Sequence, residues 1–310
     1  MSSGDFADFG TLAKYQELAK ATDQMDSALR QEIDPELALK RLVPLLGMAG
    51  EVGSLLVEYK KYLRDGNAHP LFPDHVAEEL GDILWYLANT ATNFDQNLTE
   101  IAAQNLEKTR RRWSAKGEPE ESYVLFDEER PTSEQLPRQF RAQISQVKDA
   151  DGFFHVEVTI DGENAGDHLR DNARDQDAYR FHDVFHLAHA AMLGWSPVLR
   201  GKLLHRKRKS DDALMEVEDG GRAIVIDEAV VAYVWGYART HNFLEDVTTI
   251  DYTVLKTIDQ LTNGLEVSRR PLYQWEEAIL SGYRVFRIVR DAGGGTIDVD
   301  LINRQIEVAP

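Results

Sequence analysis

A chain of 310 residues, 43% of them hydrophobic, is long enough for one large or two ordinary domains and apolar enough to bury a core, which excludes an intrinsically disordered protein. A formal net charge of −18 repels nucleic-acid backbones and anionic membranes, so no nucleic-acid partner is expected, and a nucleotide could bind only where a local cation or metal reverses the sign. The absence of cysteine removes disulfides, thiolate metal sites and a cysteine nucleophile, and fits a reducing compartment.

Met1 to Phe9 is polar and acidic, without the basic-then-apolar order of a secretion signal. No apolar run reads as a membrane span, and no repeat of solenoid length is visible. The expectation is a soluble cytoplasmic protein with no membrane partner.

From Phe9 to Arg112 the apolar spacing is helical. Leu12, Tyr15, Leu18 and Ala19 form one stripe, and Leu45, Leu46, Ala49, Val52, Leu55 and Leu56 a second. Val76, Leu80, Ile83, Leu84 and Leu87 form a third, and Leu98, Ile101, Ala102 and Leu106 a fourth. Asp65-Gly66-Asn67 and the stretch from Pro70 to Pro73 separate the middle two. Four helices make a bundle or half of one.

Two acidic pairs lie on these helices. Glu51 and Glu58 are two helical turns apart and share a face, as do Glu79 and Asp82 at i and i+3. Carboxylates beside an apolar core need compensation, and a divalent cation provides it. Oxygen ligands with no histidine or cysteine beside them in sequence favour Mg²⁺ or Mn²⁺. Asn105, Lys108, Arg110, Arg111 and Arg112 then crowd one helix end, where cations complement the helix dipole or take phosphate. Taken singly, each feature reads more simply as a solvated face or a helix cap.

Residues 114–137 have linker composition, with Lys116-Gly117-Glu118-Pro119, an acidic run to Glu129, Pro131 and Pro137. Near-alternation over Phe140 to Val147 and Phe153 to Ile160, around Asp149-Ala150-Asp151-Gly152, signals a hairpin. Helical patterns follow over Asp175 to Leu193, Val198 to Lys207, Ala223 to Arg239, Tyr252 to Leu265 and Tyr273 to Val289. Gly293-Gly294-Gly295 ends the last of them, and Thr296 to Val308 returns to strand-like alternation that could pair with the hairpin.

The segment from Tyr179 to His189 carries the most chemistry in this half. His182, His186 and His189 fall at i, i+4 and i+7 and can share one helical face, and the i, i+4 pair has metal-ligand spacing. His182-Asp183 is similar to the paired His-Asp of HD-type phosphohydrolases, whose complete site needs an upstream histidine and a downstream aspartate; His168 and Asp227 are the candidates. Asp227-Glu228 could also ligate in another arrangement. The simpler reading is that these histidines pack and hydrogen-bond beside Phe185, Leu187, Ala188 and Trp195. His205-Arg206-Lys207-Arg208-Lys209-Ser210 reads by default as a solvated cationic face, and more sharply as a phosphate contact.

Several motifs in order resemble a known family. Tyr15-Gln16 with Thr22, Gly47 to Gly53, Glu58-Tyr59-Lys60-Lys61, Glu78 to Leu87, Asn105-Leu106-Glu107-Lys108 and Arg112-Trp113 are similar to the MazG family of all-α nucleoside triphosphate pyrophosphohydrolases, over about the first third of the chain. The family pattern is Glu-x-x-Glu, then Glu-x-x-Asp, then Asn-x-x-Lys. Here Ser54 stands at the second position of the first motif, with Glu58 one turn further on. The resemblance also covers MazG-like modules that carry a C-terminal extension with a His-Asp-x-x-His helix and a Lys-Arg-Lys-Ser segment.

The resemblance implies cleavage of (deoxy)nucleoside triphosphates between the α and β phosphates, giving a monophosphate and pyrophosphate. It implies Glu51, Glu79, Asp82 and Lys108 as catalytic residues and Glu51, Glu58, Glu79 and Asp82 as ligands of Mg²⁺, with Mn²⁺ as an alternative. Gln16, Trp85, Asn105, Lys108, Arg111 and Arg112 would contact substrate, with Trp85 or Tyr86 stacking on a base if not in the core. A homo-oligomer, a dimer or tetramer, is implied as well. The fold expected is mainly α: residues 1–115 a MazG-like helical bundle, 116–137 a linker, and 138–310 a helical domain with a small antiparallel sheet. Two alternatives stand beside this reading. One is a two-site protein whose His182, Asp183, His186, Asp227 and Glu228 hold a transition metal for a second phosphohydrolase. The other is a non-catalytic nucleotide sensor or oligomerising scaffold.

Overall fold

The computed structural model describes residues 16, 19–21, 34–113 and 123–310. The expected first stripe falls largely outside them: Leu12, Tyr15, Leu18 and Thr22 are not described, whereas residues 16 and 19–21 are helical. The chain divides into two compact units, Met1–Asn105 and Leu106–Pro310, and each is taken by itself.

In the first unit, α1 (Pro35–Asp65) opens with proline in its first turn and Asp34 Oδ1 accepting the Glu36 N–H at 3.0 Å, so both the fixed φ of proline and the cap favour a start there. Gly66 ends α1, and α2 (Phe72–Asn93) returns along it as an antiparallel hairpin. At the open end Arg41 Nε donates to Asn93 O at 3.1 Å and Asn93 Nδ2 donates to Lys40 O at 2.8 Å. The helices approach closely at Gly47, where a Cβ would stand 2.2 Å from Tyr86 Cε1. A third helix, α3 (Leu98–Arg112), starts where Asn97 Oδ1 accepts the Thr99 N–H at 2.8 Å, and the division between units falls within it.

Much apolar surface of this hairpin is exposed, including Leu42, Leu46, Leu56, Leu63, Leu80, Leu84 and Trp85. The expectation that no segment approaches a membrane span needs correction, because Glu36–Ala68 is long and apolar enough to cross one by length and composition. Glu51 and Glu58 lie within that segment, and a carboxylate inside a bilayer is costly.

The second unit is built on a five-stranded antiparallel sheet of order β3-β2-β1-β4-β5. The hairpin forms as its alternation predicts: β1 (Gln139–Lys148) pairs with β2 (Phe154–Ile160), placing Ile144 opposite Val158. A two-residue β3 (Glu163–Asn164) borders β2. On the other side of β1 lies β4 (Gly294–Asp300), with Ala142 opposite Ile297, and then β5 (Gln305–Val308). Phe140, Ala142 and Ile144 turn one face of β1 to the core.

That core surrounds α4 (Asp183–Leu193), every residue of which is buried. A short α5 (Asp212–Val217) precedes α6 (Gly221–Arg239), followed by α7 (Tyr252–Leu261) and α8 (Leu272–Ala292). Gly282 lets α8 lie against α4, since a Cβ there would meet the Ala188 Cβ at 3.0 Å. The molecule is therefore mostly helical with a small antiparallel sheet, as expected.

Two expected helices form only in part. Residues 175–178 are not helical, and Ala178 has φ 70° before a 3₁₀ turn leads into α4. Val198 to Lys207 forms only a π-type turn over Leu199–Leu203, with His205 at φ 54°. Arg200 within it turns inward to the Asp127 carboxylate, Arg206 donates to the Thr132 and Gln135 carbonyls, and Arg208 just beyond it turns inward as well. Arg208, 1% exposed, donates from its backbone N to Asp219 Oδ2 at 2.6 Å and from Nη2 to Asp219 Oδ1 and Glu266 Oε1, each at 2.8 Å. The cationic run is thus neither a solvated face nor a phosphate site at its centre.

Residues 123–137, read from composition as linker, are packed rather than free. Asp127 is 2% exposed; it accepts the Leu136 N–H at 2.7 Å, Arg200 Nη2 at 2.6 Å and Arg138 Nη1 at 2.7 Å. Arg270 lies 4.1 Å from the Tyr123 ring centroid and 4.4 Å from that of Phe126, and donates to Val124 O at 2.7 Å.

Removing one partner of such a buried pair leaves the other charged and desolvated. Arg208→Met should lower unfolding free energy in a urea titration by about 3–5 kcal/mol. A loss below about 1 kcal/mol, the value of a surface pair, would contradict the burial argument.

Candidate functional site

The first candidate lies on the α1–α2 hairpin. Glu51 on α1 and Glu79 and Asp82 on α2 each offer a carboxylate oxygen, and these atoms lie within 4.8 Å of one another. Helical spacing puts Glu79 and Asp82 on one face, and the pairing of the helices brings Glu51 across to them. Among the described residues no lysine or arginine pairs with any of the three. Burial raises the Glu79 carboxyl above its ordinary value, and the neighbouring charges of Glu51 and Asp82 add to the effect. Crowded anionic oxygens of this kind form a donor set for a hard cation.

Glu58 is not part of this group, although it was expected there. Seven residues advance a helix by about 10 Å, so a shared face does not bring the carboxylates together. Instead Glu58 pairs with Lys61, and its Oε2 lies 3.1 Å from His69 Nε2 and 2.9 Å from His75 Nδ1. Both histidines come from around the α1–α2 turn, where no periodic pattern marks them.

The remaining expected contacts scatter. Gln16, Trp85, Asn105 and Lys108 have exposed side chains, and Trp85 meets Tyr86 edge-on at 4.9 Å. Arg111 and Arg112 are committed within the second unit, which corrects their expected role on substrate. Arg111 Nη2 donates to Asp259 Oδ1 at 2.9 Å and to Ser268 O at 3.1 Å. Arg112 is buried against Glu276, with Nη2 also donating to Ile250 O at 2.9 Å.

A second candidate surrounds α4. Asp227, from the middle of α6, is wholly buried and accepts Ser196 Oγ at 2.7 Å, the Val198 N–H at 3.2 Å and His189 Nδ1 at 2.9 Å. His186 Nδ1 lies 3.1 Å from the same carboxylate. Neither ring nitrogen of His186 makes a directed hydrogen bond, so this approach is an ion contact. Burial alone would depress the His186 imidazole, but the Asp227 charge outweighs it and raises the group to about 10. Asp227 is held low by His186 and His189 despite its burial.

Further out, Glu228 Oε2 lies 3.4 Å from His186 Nε2 and 3.9 Å from His182 Nε2, while its Oε1 accepts Lys202 Nζ at 2.9 Å. His182 Nδ1 donates to Tyr179 O at 2.9 Å, and its ring stacks on Tyr179 at 4.6 Å. One ligand atom each from His182, Asp183 and His186 falls within 4.8 Å of the others. The expected set of His182, Asp183, His186, Asp227 and Glu228 therefore comes together. His168 does not join it, but stacks on His155 at 4.6 Å beside Glu157. Ser196 and Lys202 were not anticipated in the cluster, and His189 was read only as sharing the helical face.

Comparison with known proteins places the chain's second half. A family model, the MazG C-terminal domain, matches residues 121–310. The match covers the half with the histidine helix, not the N-terminal third where the motifs placed the resemblance. A stretch of 69 residues, 22% of this chain, is 36% identical to the Gene 37 protein of Mycobacterium phage L5 and spans 60% of that protein. No solved structure matches the chain.

The hydrogen bond from Lys61, then that from His75, holds the Glu58 carboxyl down at about 2. A depressed acid stabilises the fold above its ordinary pKa and loses that contribution as pH falls through the folded value. Glu58→Gln should thus lower the melting temperature relative to wild type at about pH 6, with the gap closing towards about pH 3 and below. A gap that widened on acidification would contradict the pairing.

Proposed function

The chain belongs to the MazG C-terminal domain family, and from that footing we propose that it is a nucleotide pyrophosphohydrolase whose chemistry lies at Glu51, Glu79 and Asp82 in the first unit. The observation that carries the reading is the convergence of these three carboxylates, without a paired cation, on facing helices. The substrate is a nucleoside or deoxynucleoside triphosphate, and the products are the monophosphate and pyrophosphate.

The donor set, oxygen-only and anionic, fits Mg²⁺ or Mn²⁺. Such an ion, when bound, neutralises polyphosphate charge and acidifies water. Magnesium is commonly held by one or two carboxylates together with substrate phosphates, which leaves a carboxylate oxygen uncommitted. Glu79, placed beside Glu51 and Asp82, is positioned to accept the proton of the attacking water. The oxygen of that water bonds to the α-phosphorus, the bond from phosphorus to the bridging oxygen breaks, and pyrophosphate leaves with the electron pair. Arg111 and Arg112 are given no role in this reading, since Asp259 and Glu276 pair with them.

The exposed apolar residues of α1 and α2 support pairing between copies of the chain as a dimer or tetramer. Light scattering that returned a monomer would remove that expectation.

With Mg²⁺ and a panel of nucleoside triphosphates, chromatography should resolve monophosphate and pyrophosphate. Glu79→Gln and Asp82→Asn should each lower kcat/KM by about a hundredfold or more, while Glu36→Gln on the outer surface of α1 should not. Nucleotide binding without turnover by the wild type would favour the non-catalytic sensing role instead. Products other than pyrophosphate would refute the proposal.

A further inference from the structure

We propose that the second unit carries its own transition-metal site, with ligands drawn from His182, His186, Asp183 and Glu228, and with Asp227 as the buried anchor behind them. The proposal stands apart from the chemistry assigned to Glu51, Glu79 and Asp82, and rests on other residues.

Separation of the donors is the first argument. Glu228 Oε2 is 3.4 Å from His186 Nε2 and 3.9 Å from His182 Nε2, and Asp183 Oδ1 is 3.7 Å from His182 Nε2. Such distances are long for hydrogen bonds. They match the edges of a coordination tetrahedron, since bonds of about 2.0–2.1 Å to nitrogen or oxygen separate neighbouring ligands by roughly 3.4 Å.

Orientation is the second. A ligating histidine usually donates its other ring N–H to a carbonyl or carboxylate, which fixes the tautomer and aims the free nitrogen. His182 does this with Tyr179 O, freeing Nε2. His186 has its Nδ1 against Asp227 and its Nε2 towards Glu228.

The third argument is an unmet need. His186 is 0% exposed, and its Nε2, the nitrogen turned away from Asp227, makes no hydrogen bond. Buried polar atoms without partners are rare and costly. A metal at Nε2 would supply what the protein does not. Asp227 is itself saturated by Ser196, Val198 and His189, so it positions His186 instead of ligating. Mixed imidazole and carboxylate donors favour Zn²⁺, Fe²⁺, Co²⁺ or Mn²⁺ over Mg²⁺ or Ca²⁺. Access is past Glu228 and Lys202, whose side chains are 33% and 51% exposed.

The test uses the full-length protein, stripped with a chelator and titrated with Co²⁺, then Zn²⁺. The wild type should bind one tightly held Co²⁺ per chain with visible d–d absorption, and Zn²⁺ should displace it. The doubly substituted Glu79→Gln, Asp82→Asn protein should keep that spectrum. His182→Ala and Glu228→Gln, at partly exposed positions, should weaken Co²⁺ binding at least about tenfold, with circular dichroism confirming the fold. If His182→Ala unfolds, Glu228→Gln and the wild-type spectrum decide. Absence of Co²⁺ absorption in the wild type, or an unchanged spectrum and affinity in Glu228→Gln, would overturn the proposal and leave the cluster as an ion-pair network.

Discussion

Asp227 is a carboxylate with no access to water, and the centre of the second unit is organised around keeping it charged. An unpaired ion at such depth would be prohibitively costly, so each oxygen must find donors. Ser196 Oγ and the Val198 N–H serve one oxygen, and His189 serves the other, with His186 beside it in ion contact. These demands place the end of α4, the turn after Trp195 and the middle of α6 in one register. They also turn His186 so that its other nitrogen faces Glu228, and a packing requirement in the core thereby sets the geometry of a chemical group nearer the surface.

The same rule, applied to arginines, anchors the segment before the sheet. Asp127 draws Arg138 and Arg200 to itself, Asp219 and Glu266 hold Arg208, and Arg270 lies between Tyr123 and Phe126. Bidentate, planar guanidinium groups suit such burial better than lysine would. The family match over residues 121–310 includes this segment, in keeping with its packing into the unit that follows.

Local patterns in the sequence carried some of this and not the rest. Hairpin alternation, the spans of α6 and α8, and the shared face of Glu79 and Asp82 follow from periods of two and 3.6, which short windows reveal, whereas the family resemblance is what grouped Glu51 with them. Glu58 misled because a helical face is a stripe with length, and proximity along it needs the axial rise as well as the angle. Arg111, Arg112 and Arg208 misled for another reason. The partners of the first two, Asp259 and Glu276, lie 148 and 164 residues away, and Arg208 is held by Glu266, 58 residues away, as well as by the nearby Asp219, so the spacing of the cations alone gave little sign of how they are neutralised. Composition likewise made 123–137 look like a linker, since acidic residues that pair in the core count as solvated until their arginines are known.

The two units thus offer contrasting donor sets: hard, oxygen-only and half-buried to exposed at Glu51, Glu79 and Asp82, mixed and enclosed around His186. The central claim is that the carboxylates of the first are a metal site for nucleotide hydrolysis. Anomalous diffraction from crystals grown with Mn²⁺ and a non-hydrolysable nucleoside triphosphate tests it most directly. The account predicts a manganese peak bounded by Glu51, Glu79 and Asp82 with the phosphates beside it. Phosphates bound elsewhere, with no peak among those three carboxylates, would contradict it.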